Sequence, residues 1–353
     1  MVRLRDLGVS LGEYQPGASN SIADVDGVTV GHATVVRDQP TVARTGVTIL
    51  NTRSADERDQ LCYGGMHSFN GNGEMTGSHW LEESGLLSGP IGITNTHQVG
   101  LVRDTIVQEI VRREPHTEWC LPIVGETYDG FLNDINAFPL TSEDVRRAIA
   151  AADEPGPVLE GNVGGGTGMI CHGFKGGIGT SSRVVDTGAG SFTIGALVQA
   201  NYGARHLLRL DGRSVGATID ESVVPLPTDP RSADAGSIIV VLATDAPLLS
   251  DQCKRIAQRA TVGLARVGGT GGNGSGDIFL AFSTHNRIAS SEDRLSVVKT
   301  LSPTRMTALF NATAEVVEES IWNALCAAET MTGHRGRIVH SVPHDLVREL
   351  AAD

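Results

Sequence analysis

The sequence is poor in aromatic residues, in positive charge and in long apolar runs. Aromatics make up 4% of the 353 residues, and the formal net charge is −13. Because such a charge repels phosphates, we expect no nucleic-acid partner. No apolar run approaches the roughly 20 residues that span a bilayer, and the first residues lack the apolar core of a signal peptide. These absences predict a cytoplasmic protein with no membrane contact.

Cysteine is also scarce, and no metal-binding signature is present. The five cysteines are odd in number and widely spaced, with no C-x-x-C pair, and no H-E-x-x-H occurs. Neither a disulfide framework nor a zinc site is indicated. We therefore expect no metal, no cofactor and mostly buried, reduced thiols.

What the chain does contain is glycine and a regular alternation of strands and helices. Forty-three glycines accompany a hydrophobic content of 40%, which is typical of a compact chain with many tight turns. No linker or repeat divides it, so we expect one α/β domain over residues 1–353. Predicted strands begin at Val28, Val47, Phe192 and Ile278, and predicted helices cover 101–111, 249–264 and Met306 to about Met331.

Several familiar motifs occur without the residues or the structural context that their function requires. The glycine-rich stretch 161–179 lacks the Lys-Ser/Thr pair of a phosphate loop, and the G-x-G-x-x-G at 269–274 follows a helix instead of a strand. Ser10 and Ser214 lie in G-x-S-x-G sequences without the strand-turn-helix context of a nucleophile elbow. His67, His79, His97 and His172 are scattered among turn-like segments. If the protein is a hydrolase, its base is therefore not expected to be histidine.

The junction Gly236-Ser237 leads directly into the apolar run Ile238–Leu242. A serine freed as a new chain terminus would carry both a hydroxyl nucleophile and an amine base. The preceding segment is rich in breakers, including Pro225, Pro227 and Pro230, and resembles an accessible loop. Taken alone, however, Gly-Ser before a strand is more often a turn.

Polar residues follow or precede other predicted strands. Ser275 and Asp277 lie on a glycine-framed turn, and alternation places them on one side of the following strand. Glu126 and Tyr128 follow one apolar run, and Asn201 ends another. Tyrosine hydroxyls and asparagine amides can donate to a developing oxyanion, although each segment could equally be a turn.

Ten sequence motifs in order resemble those of the self-processing aminopeptidases, the family of L-aminopeptidase/D-Ala-esterase/amidase and the β-peptidyl aminopeptidases. The resemblance implies a four-layer αββα sandwich like that of N-terminal-nucleophile hydrolases, with its own topology. Among the motifs are Asn70-Gly-Asn-Gly-Glu-Met-Thr-Gly, Ile93-Thr-Asn-Thr-His-Gln-Val-Gly, Glu126-Thr-Tyr-Asp-Gly, Val198-Gln-Ala-Asn-Tyr-Gly, Gly236-Ser-Ile-Ile-Val-Val and Asn273-Gly-Ser-Gly-Asp.

The resemblance further implies self-cleavage between Gly236 and Ser237, giving an α chain of residues 1–236 and a β chain of 237–353. Ser237 would be the nucleophile, and its new α-amine, with a pKa of about 7.7 to 8.0 in model compounds, would be the base. Asn201 and Tyr128 match the positions that stabilise the oxyanion.

Three further positions carry over by the same resemblance. Glu126 matches the carboxylate that receives the substrate's amino group, and Ser275 matches a relay serine. Asp277 stands where some members of the family have glutamate. Its side chain is shorter, so the resemblance does not establish that it contacts the amine and Ser275. The segment 66–69, Met-His-Ser-Phe, is bulkier than expected before Asn70, and could alter a pocket wall or a subunit contact.

The expected function is therefore an autoproteolytic serine aminopeptidase or amidase that acts on short peptides, amides or esters with a free amino group. An acyltransferase like the ornithine acetyltransferases and a non-catalytic glycine-rich binding protein are the alternatives. The resemblance suggests a homo-oligomer, a tetramer of αβ units. Nothing in the sequence decides among α-L, D and β amino-terminal residues.

Overall fold

A computed structural model describes residues 1–57, 60–227, 236–289 and 295–352. Of the breaker-rich approach to Ser237, residues 228–235 lie outside these ranges. The strands are β1 (Thr29–Arg37), β2 (Ala43–Asn51), β3 (Gln60–Gly71), β4 (Leu86–Leu87), β5 (Ile91–Asn95), β6 (Ile123–Thr127), β7 (Ile170–Cys171), β8 (Phe174–Lys175), β9 (Gly177–Asp186), β10 (Ser191–Asn201), β11 (Arg209–Leu210), β12 (Arg213–Ser214), β13 (Ser237–Thr244), β14 (Gly276–Ala289), β15 (Met331–Thr332) and β16 (Ile338–Val339). The α-helices are α1 (Ser78–Ser84), α2 (Val99–Arg113), α3 (Ser142–Ala152), α4 (Val215–Thr218), α5 (Ser250–Arg266), α6 (Met306–Ala327) and α7 (His344–Ala352).

Two sheets form the centre of the molecule. One has the strand order β1-β2-β5-β6, and the other has the order β4-β3-β14-β13-β10-β9. Within the larger sheet, β13 pairs in parallel with β14 and antiparallel with β10. The strand that begins at Ser237 therefore lies in the interior of the sheet.

Helices cover the outer face of each sheet. The smaller sheet packs against α2 and α3, and the larger sheet packs against α5 and α6. Between the sheets, Leu197, Ile239 and Leu280 of one sheet join Ile91 and Ile123 of the other in a shared apolar core. The result is the predicted four-layer αββα sandwich.

The continuous apolar run of β13 follows from its central position. Successive side chains of a strand point to opposite faces. Ile238 and Val240 accordingly join the core under α5 and α6, whereas Ile239 and Val241 join the core between the sheets. By the same alternation, the Ser237 side chain faces the space between the two sheets.

Two sequence predictions need correction. The last long helix was predicted to reach about Met331, but α6 ends at Ala327 and Met331 begins β15. Ala328 is extended, and the side chain of Asn162 binds both backbone groups of Glu329. His67 and His79, assigned to turn-like segments, instead lie within β3 and α1.

Glycine permits the close packing of the layers at particular points. A Cβ atom at Gly179 of β9 would lie 1.9 Å from the Ser320 carbonyl oxygen of α6. A Cβ atom at Gly31 of β1 would lie 2.1 Å from the Ala152 backbone nitrogen of α3. The high glycine content thus reflects backbone-to-backbone contact between helices and sheets.

A buried ion-pair network fastens the amino-terminal residues to α6. Arg183 is fully buried on β9, and its guanidinium contacts Glu315 at 3.0 Å and Glu319 at 2.5 Å. Glu319 also binds Arg5 at 2.7 Å. The carboxylate therefore joins the start of the chain to the larger sheet.

Replacing Glu319 by alanine should lower the free energy of unfolding by about 3 to 5 kcal/mol, because it leaves the buried Arg183 without its closest partner. Urea denaturation measures the change. Arg147→Ala is the control, since Arg147 pairs with Asp144 at a position where its side chain is 55% exposed. A loss below about 1 kcal/mol is expected there, and equal losses in both variants would contradict the importance of the buried network.

Candidate active site

Three strand ends of the larger sheet meet at Ser237. In the strand register, Ser237 is paired with Asn201, the last residue of β10, and with Gly276, the first residue of β14. Ser237 is buried, with 6% of its surface exposed. The backbone pairing thus brings together residues that are distant in sequence.

The Ser237 hydroxyl lies against the peptide bond that precedes it. Its Oγ donates a hydrogen bond to the Gly236 carbonyl oxygen at 2.7 Å. The same Oγ accepts a hydrogen bond from the Gly276 N–H at 3.2 Å. The hydroxyl is therefore held beside the bond for which the sequence predicts cleavage.

The Asn201 carboxamide is fixed in one orientation. Its Oδ1 accepts a hydrogen bond from the Ile170 N–H at 2.8 Å, and its Nδ2 donates to the Tyr128 carbonyl at 3.0 Å. An amide nitrogen has two protons, so the second N–H can serve a further acceptor. This arrangement suits an oxyanion donor.

Glu126 supplies a buried carboxylate from the end of β6, in the smaller sheet. Its Oε1 accepts the Glu74 backbone N–H at 3.0 Å, and its Oε2 accepts the Thr96 hydroxyl. Burial raises the pKa of Glu126, against the opposing effect of these hydrogen bonds. A cationic group brought beside it would favour the charged carboxylate.

Ser275 and Asp277 are neighbours, as the alternation predicts. The Ser275 hydroxyl donates to the Asp277 carboxylate at 2.6 Å, so the shorter acidic side chain does reach this serine. Burial raises the pKa of Asp277 to about 6, although hydrogen bonds from Ser275 and from the Ile238 backbone oppose the rise. Asp277 is thus attached to both β13 and the turn before β14.

A cavity of about 740 Å³ opens between the ends of the two sheets. Its wall includes Ser237, Asn201, Glu126 and Tyr128, and the Tyr128 side chain is 38% exposed. The Tyr128 ring lies over Gly130, where a Cβ atom would meet its hydroxyl at 2.3 Å. The cavity therefore gathers five of the predicted site residues, these four and Gly236, whereas Ser275 and Asp277 are not part of its wall.

Sequence reasoning missed a buried lysine that supports Asn201. Lys175 is fully buried, and its ammonium donates to the carbonyls of Gly166, Met169 and Gly176 at 2.8 to 3.2 Å. Burial lowers the pKa of Lys175 to about 7. These bonds fix the turn that carries Ile170, the partner of Asn201. The sequence signal for this supporting role was a single lysine within a glycine-rich stretch.

Thr96 was also missed, although it lies within one of the motifs that carry the family resemblance. It follows β5, which runs parallel to β6, so the carboxyl ends of the two strands lie side by side. That placement brings its hydroxyl to the Glu126 carboxylate. The neighbouring strand order, which the sequence does not display, determines this contact.

Other conspicuous residues of the sequence are not part of the cavity wall. Ser10 and Ser214 are exposed. Contrary to the sequence prediction, Ser214 does lie between a strand and a helix, although these are only the two-residue β12 and the four-residue α4. Met66 and Phe69 lie on β3, where Phe69 stacks on Phe279 at a centroid distance of 6.5 Å. The bulky 66–69 segment therefore packs against β14, and the cavity wall is formed by other residues.

The described residues contain neither a metal-ligand cluster nor a membrane-spanning helix. Within those ranges, no three side chains of histidine, cysteine, aspartate or glutamate are grouped in a way that could hold a metal ion. In the same part of the chain, no helix has the length and apolar character that crossing a membrane requires.

The αββα layers, with a serine at the head of a central strand that faces a cavity, have the architecture of hydrolases of the N-terminal-nucleophile type. The chain belongs to peptidase family S58, whose family model matches residues 20–339.

Known relatives cover nearly the whole chain. It is 45% identical to the β-peptidyl aminopeptidase BapA of Sphingosinicella microcystinivorans, over 99% of this chain and 91% of that protein. A β-aminopeptidase of Burkholderia sp. has a TM-score of 0.93 at 48% identity, with 99% of this chain and 98% of that chain covered.

A third relative represents the aminopeptidases of serine type. The L-aminopeptidase D-Ala-esterase/amidase of Ochrobactrum anthropi, described as a variant of the Ntn hydrolase fold, has a TM-score of 0.92 at 44% identity, covering 99% of this chain and 98% of its own. The chain is accordingly a serine aminopeptidase or amidase that acts on peptides, and neither the acyltransferase nor the non-catalytic alternative is favoured.

Proposed function

We propose that the chain cleaves itself between Gly236 and Ser237, and that the freed Ser237 is the nucleophile of an aminopeptidase. The observation that carries this proposal is the placement of Ser237, whose hydroxyl lies 2.7 Å from the Gly236 carbonyl oxygen at the edge of the cavity. Cleavage gives an α chain of 1–236 and a β chain of 237–353 within one catalytic domain.

Self-cleavage proceeds through an ester. The Ser237 oxygen attacks the Gly236 carbonyl carbon, the C–N bond breaks, and the hydroxyl proton is transferred in the net reaction to the departing Ser237 nitrogen. Water then hydrolyses the ester, which leaves a Gly236 carboxylate and a Ser237 residue with a free amine and hydroxyl.

Peptide hydrolysis repeats this attack on a substrate. The Ser237 α-amine accepts the hydroxyl proton as Oγ bonds to the substrate's carbonyl carbon, and it returns that proton to the leaving amine when the C–N bond breaks. Water then hydrolyses the acyl-enzyme ester, which releases the acid and restores the Ser237 hydroxyl. Asn201 and Tyr128 stabilise the oxyanion, whereas Ser275 and Asp277 orient the amine. The buried Glu126 receives the substrate's ammonium group.

The pH dependence of kcat/KM should reveal the ionisation of Asp277. Below the α-amine pKa of about 7.7 to 8.0, log kcat/KM should fall with a slope of about one as the amine is protonated. The pKa of Asp277 is about 6, raised by burial. In the cleaved enzyme the Ser237 ammonium lowers the pKa of Asp277. At or below about pH 6, once Asp277 is neutral and no longer accepts the Ser275 proton as a carboxylate, the slope should therefore steepen to about two.

In the Asp277→Asn variant, the plot of log kcat/KM against pH should lose the steeper segment and keep the segment of slope one that reports the amine. The rates are measured with a substrate that has an uncharged leaving group, at constant ionic strength. Asp245→Asn is the control, because burial also raises the pKa of Asp245, at the opposite end of β13. A steep acid limb that persists in Asp277→Asn, or disappears in Asp245→Asn, would contradict the assignment.

We propose a substrate range that includes β-amino-terminal residues. Two relatives at 45% and 48% identity are named for activity on β-peptides or as β-aminopeptidases, and another is an L-aminopeptidase. The cavity of about 740 Å³ has room beyond a single residue. Initial rates with p-nitroanilides of β-homoalanine, L-alanine and D-alanine would rank the three classes.

Replacing Glu126 by glutamine should lower kcat/KM for these p-nitroanilides by about 10²- to 10³-fold, because the substrate ammonium would lose a buried countercharge. Glu74→Gln is the control. Glu74 is exposed, and its backbone, not its side chain, binds Glu126. Comparable losses in both variants, or wild-type kcat/KM in Glu126→Gln, would contradict the proposed role.

The proposal extends to location and assembly. All five cysteines are free, four of them buried, which suits the reducing cytoplasm.

Trp80 and Trp119 form an exposed edge-to-face pair with centroids 5.7 Å apart. Aromatic residues are enriched in protein–protein interfaces, so this pair supports a homo-oligomer. The family resemblance, and not this pair, is the basis for proposing a tetramer of αβ units. Light scattering of the purified enzyme measures this.

A further inference from the structure

The carbonyl of the proposed cleavage site has a backbone hydrogen-bond donor of its own. The Gly276 N–H donates to the Gly236 oxygen at 3.1 Å, and it also reaches the Ser237 Oγ at 3.2 Å. Both atoms take part in the proposed cleavage, the first as the developing oxyanion and the second as the attacking oxygen. The amide therefore contacts the reacting groups directly.

This donor is positioned by the pairing of the two central strands. Ser237 and Gly276 are register partners at the start of the parallel β13–β14 ladder, so the bond to Gly236 is the first bond of that ladder. A Cβ atom at residue 276 would lie 2.5 Å from the Asn72 carbonyl oxygen. Glycine thus lets the chain at Asn72 close over this end of β14.

Asn201 is arranged differently. Its carboxamide binds the backbone of Ile170 and Tyr128, and it is not among the groups of the described residues that bind the Gly236 oxygen. Asn201 lines the cavity, where a substrate carbonyl would enter. The two candidate donors therefore approach Ser237 from neighbouring strands on either side.

We propose that the Gly276 N–H stabilises the oxyanion of self-cleavage, whereas Asn201 stabilises the oxyanion of peptide hydrolysis. The inference rests on the proposed self-cleavage and adds to it a separate donor. As Oγ bonds to the Gly236 carbon, the carbonyl π electrons move onto its oxygen, and the Gly276 N–H strengthens its bond to that charge. The electrons return when the C–N bond breaks.

The amide is removed by a backbone ester, because no side-chain substitution deletes an N–H at this position without adding bulk. Cell-free translation with glycolic acid at position 276 replaces only the N–H by oxygen. The matched control is the hydroxy-acid analogue of isoleucine at position 278, on the same strand. Denaturing gels over time give the rate of self-cleavage for both, for the wild type and for Asn201→Ala.

The 276 ester should cleave about 10²- to 10³-fold more slowly than the 278 ester, as expected for loss of one oxyanion donor. Asn201→Ala should cleave near the wild-type rate although its peptide hydrolysis is slow. A 276 ester that matches the 278 ester, or an uncleaved Asn201→Ala, overturns the Gly276 assignment. A wild type that stays intact overturns self-cleavage itself and the inference with it.

Discussion

Replacing Ser237 by alanine should leave the purified chain as one 37.1 kDa polypeptide and abolish hydrolysis of aminoacyl p-nitroanilides. One hydroxyl serves both reactions in the proposed scheme, so its removal eliminates the internal attack and the later acyl-enzyme together. Loss of the serine nucleophile lowers kcat by about 10⁶-fold in a serine protease with a catalytic triad, and we expect a loss of that order here. Denaturing electrophoresis and a p-nitroaniline assay record the two effects.

Ser214→Ala provides the control for this loss. Ser214 is exposed and lies in a G-x-S-x-G sequence that would attract attention as a nucleophile elbow. Its variant should split and turn over substrate like the wild type. Two fragments from Ser237→Ala, or activity in that variant near the wild-type value, would rule out Ser237 as the shared nucleophile.

Asn201→Ala should lower kcat by about 10²- to 10³-fold with little change in KM, because the donor acts on charge that develops only in the transition state. The Ile170 N–H and the Tyr128 carbonyl oxygen each form a hydrogen bond with the Asn201 carboxamide, and these two bonds fix the direction of its Nδ2 donor. Asn201→Asp should be at least as slow, since a carboxylate cannot donate and repels the oxyanion.

Asn162→Ala is the matched control for Asn201. Asn162 binds the Glu329 carbonyl outside the cavity wall, so its loss should leave kcat close to the wild-type value. A rise in KM with unchanged kcat in Asn201→Ala would instead assign Asn201 to ground-state binding. Steady-state kinetics with L-alanine p-nitroanilide distinguish these outcomes.

Local pattern predicted much of the site. The apolar run after Ser237 indicated a buried strand, and alternation placed Ser275 beside Asp277, where the structure has a 2.6 Å hydrogen bond. Polar residues after apolar runs marked Glu126 and Asn201 as strand ends. These predictions needed only the period of a strand, which short segments display.

Local pattern could not show which strand ends meet. The pairing of Ser237 with Asn201 and Gly276 depends on the strand order of the larger sheet, and Thr96 reaches Glu126 only because β5 and β6 are neighbours. Family resemblance, not periodicity, gave Asn201 and Tyr128 their expected roles. The sequence did not predict the role of Lys175, because its three partners are backbone carbonyls and residue types do not show where backbone carbonyls lie.

The central claim is that cleavage frees Ser237 to act as the nucleophile, and the intact mass of the denatured wild-type protein tests it most directly. We predict two polypeptides, one that ends at Gly236 and one that begins at Ser237, in an enzyme that hydrolyses aminoacyl p-nitroanilides. A single 37.1 kDa polypeptide with that activity, or a break at any other bond, would contradict the account.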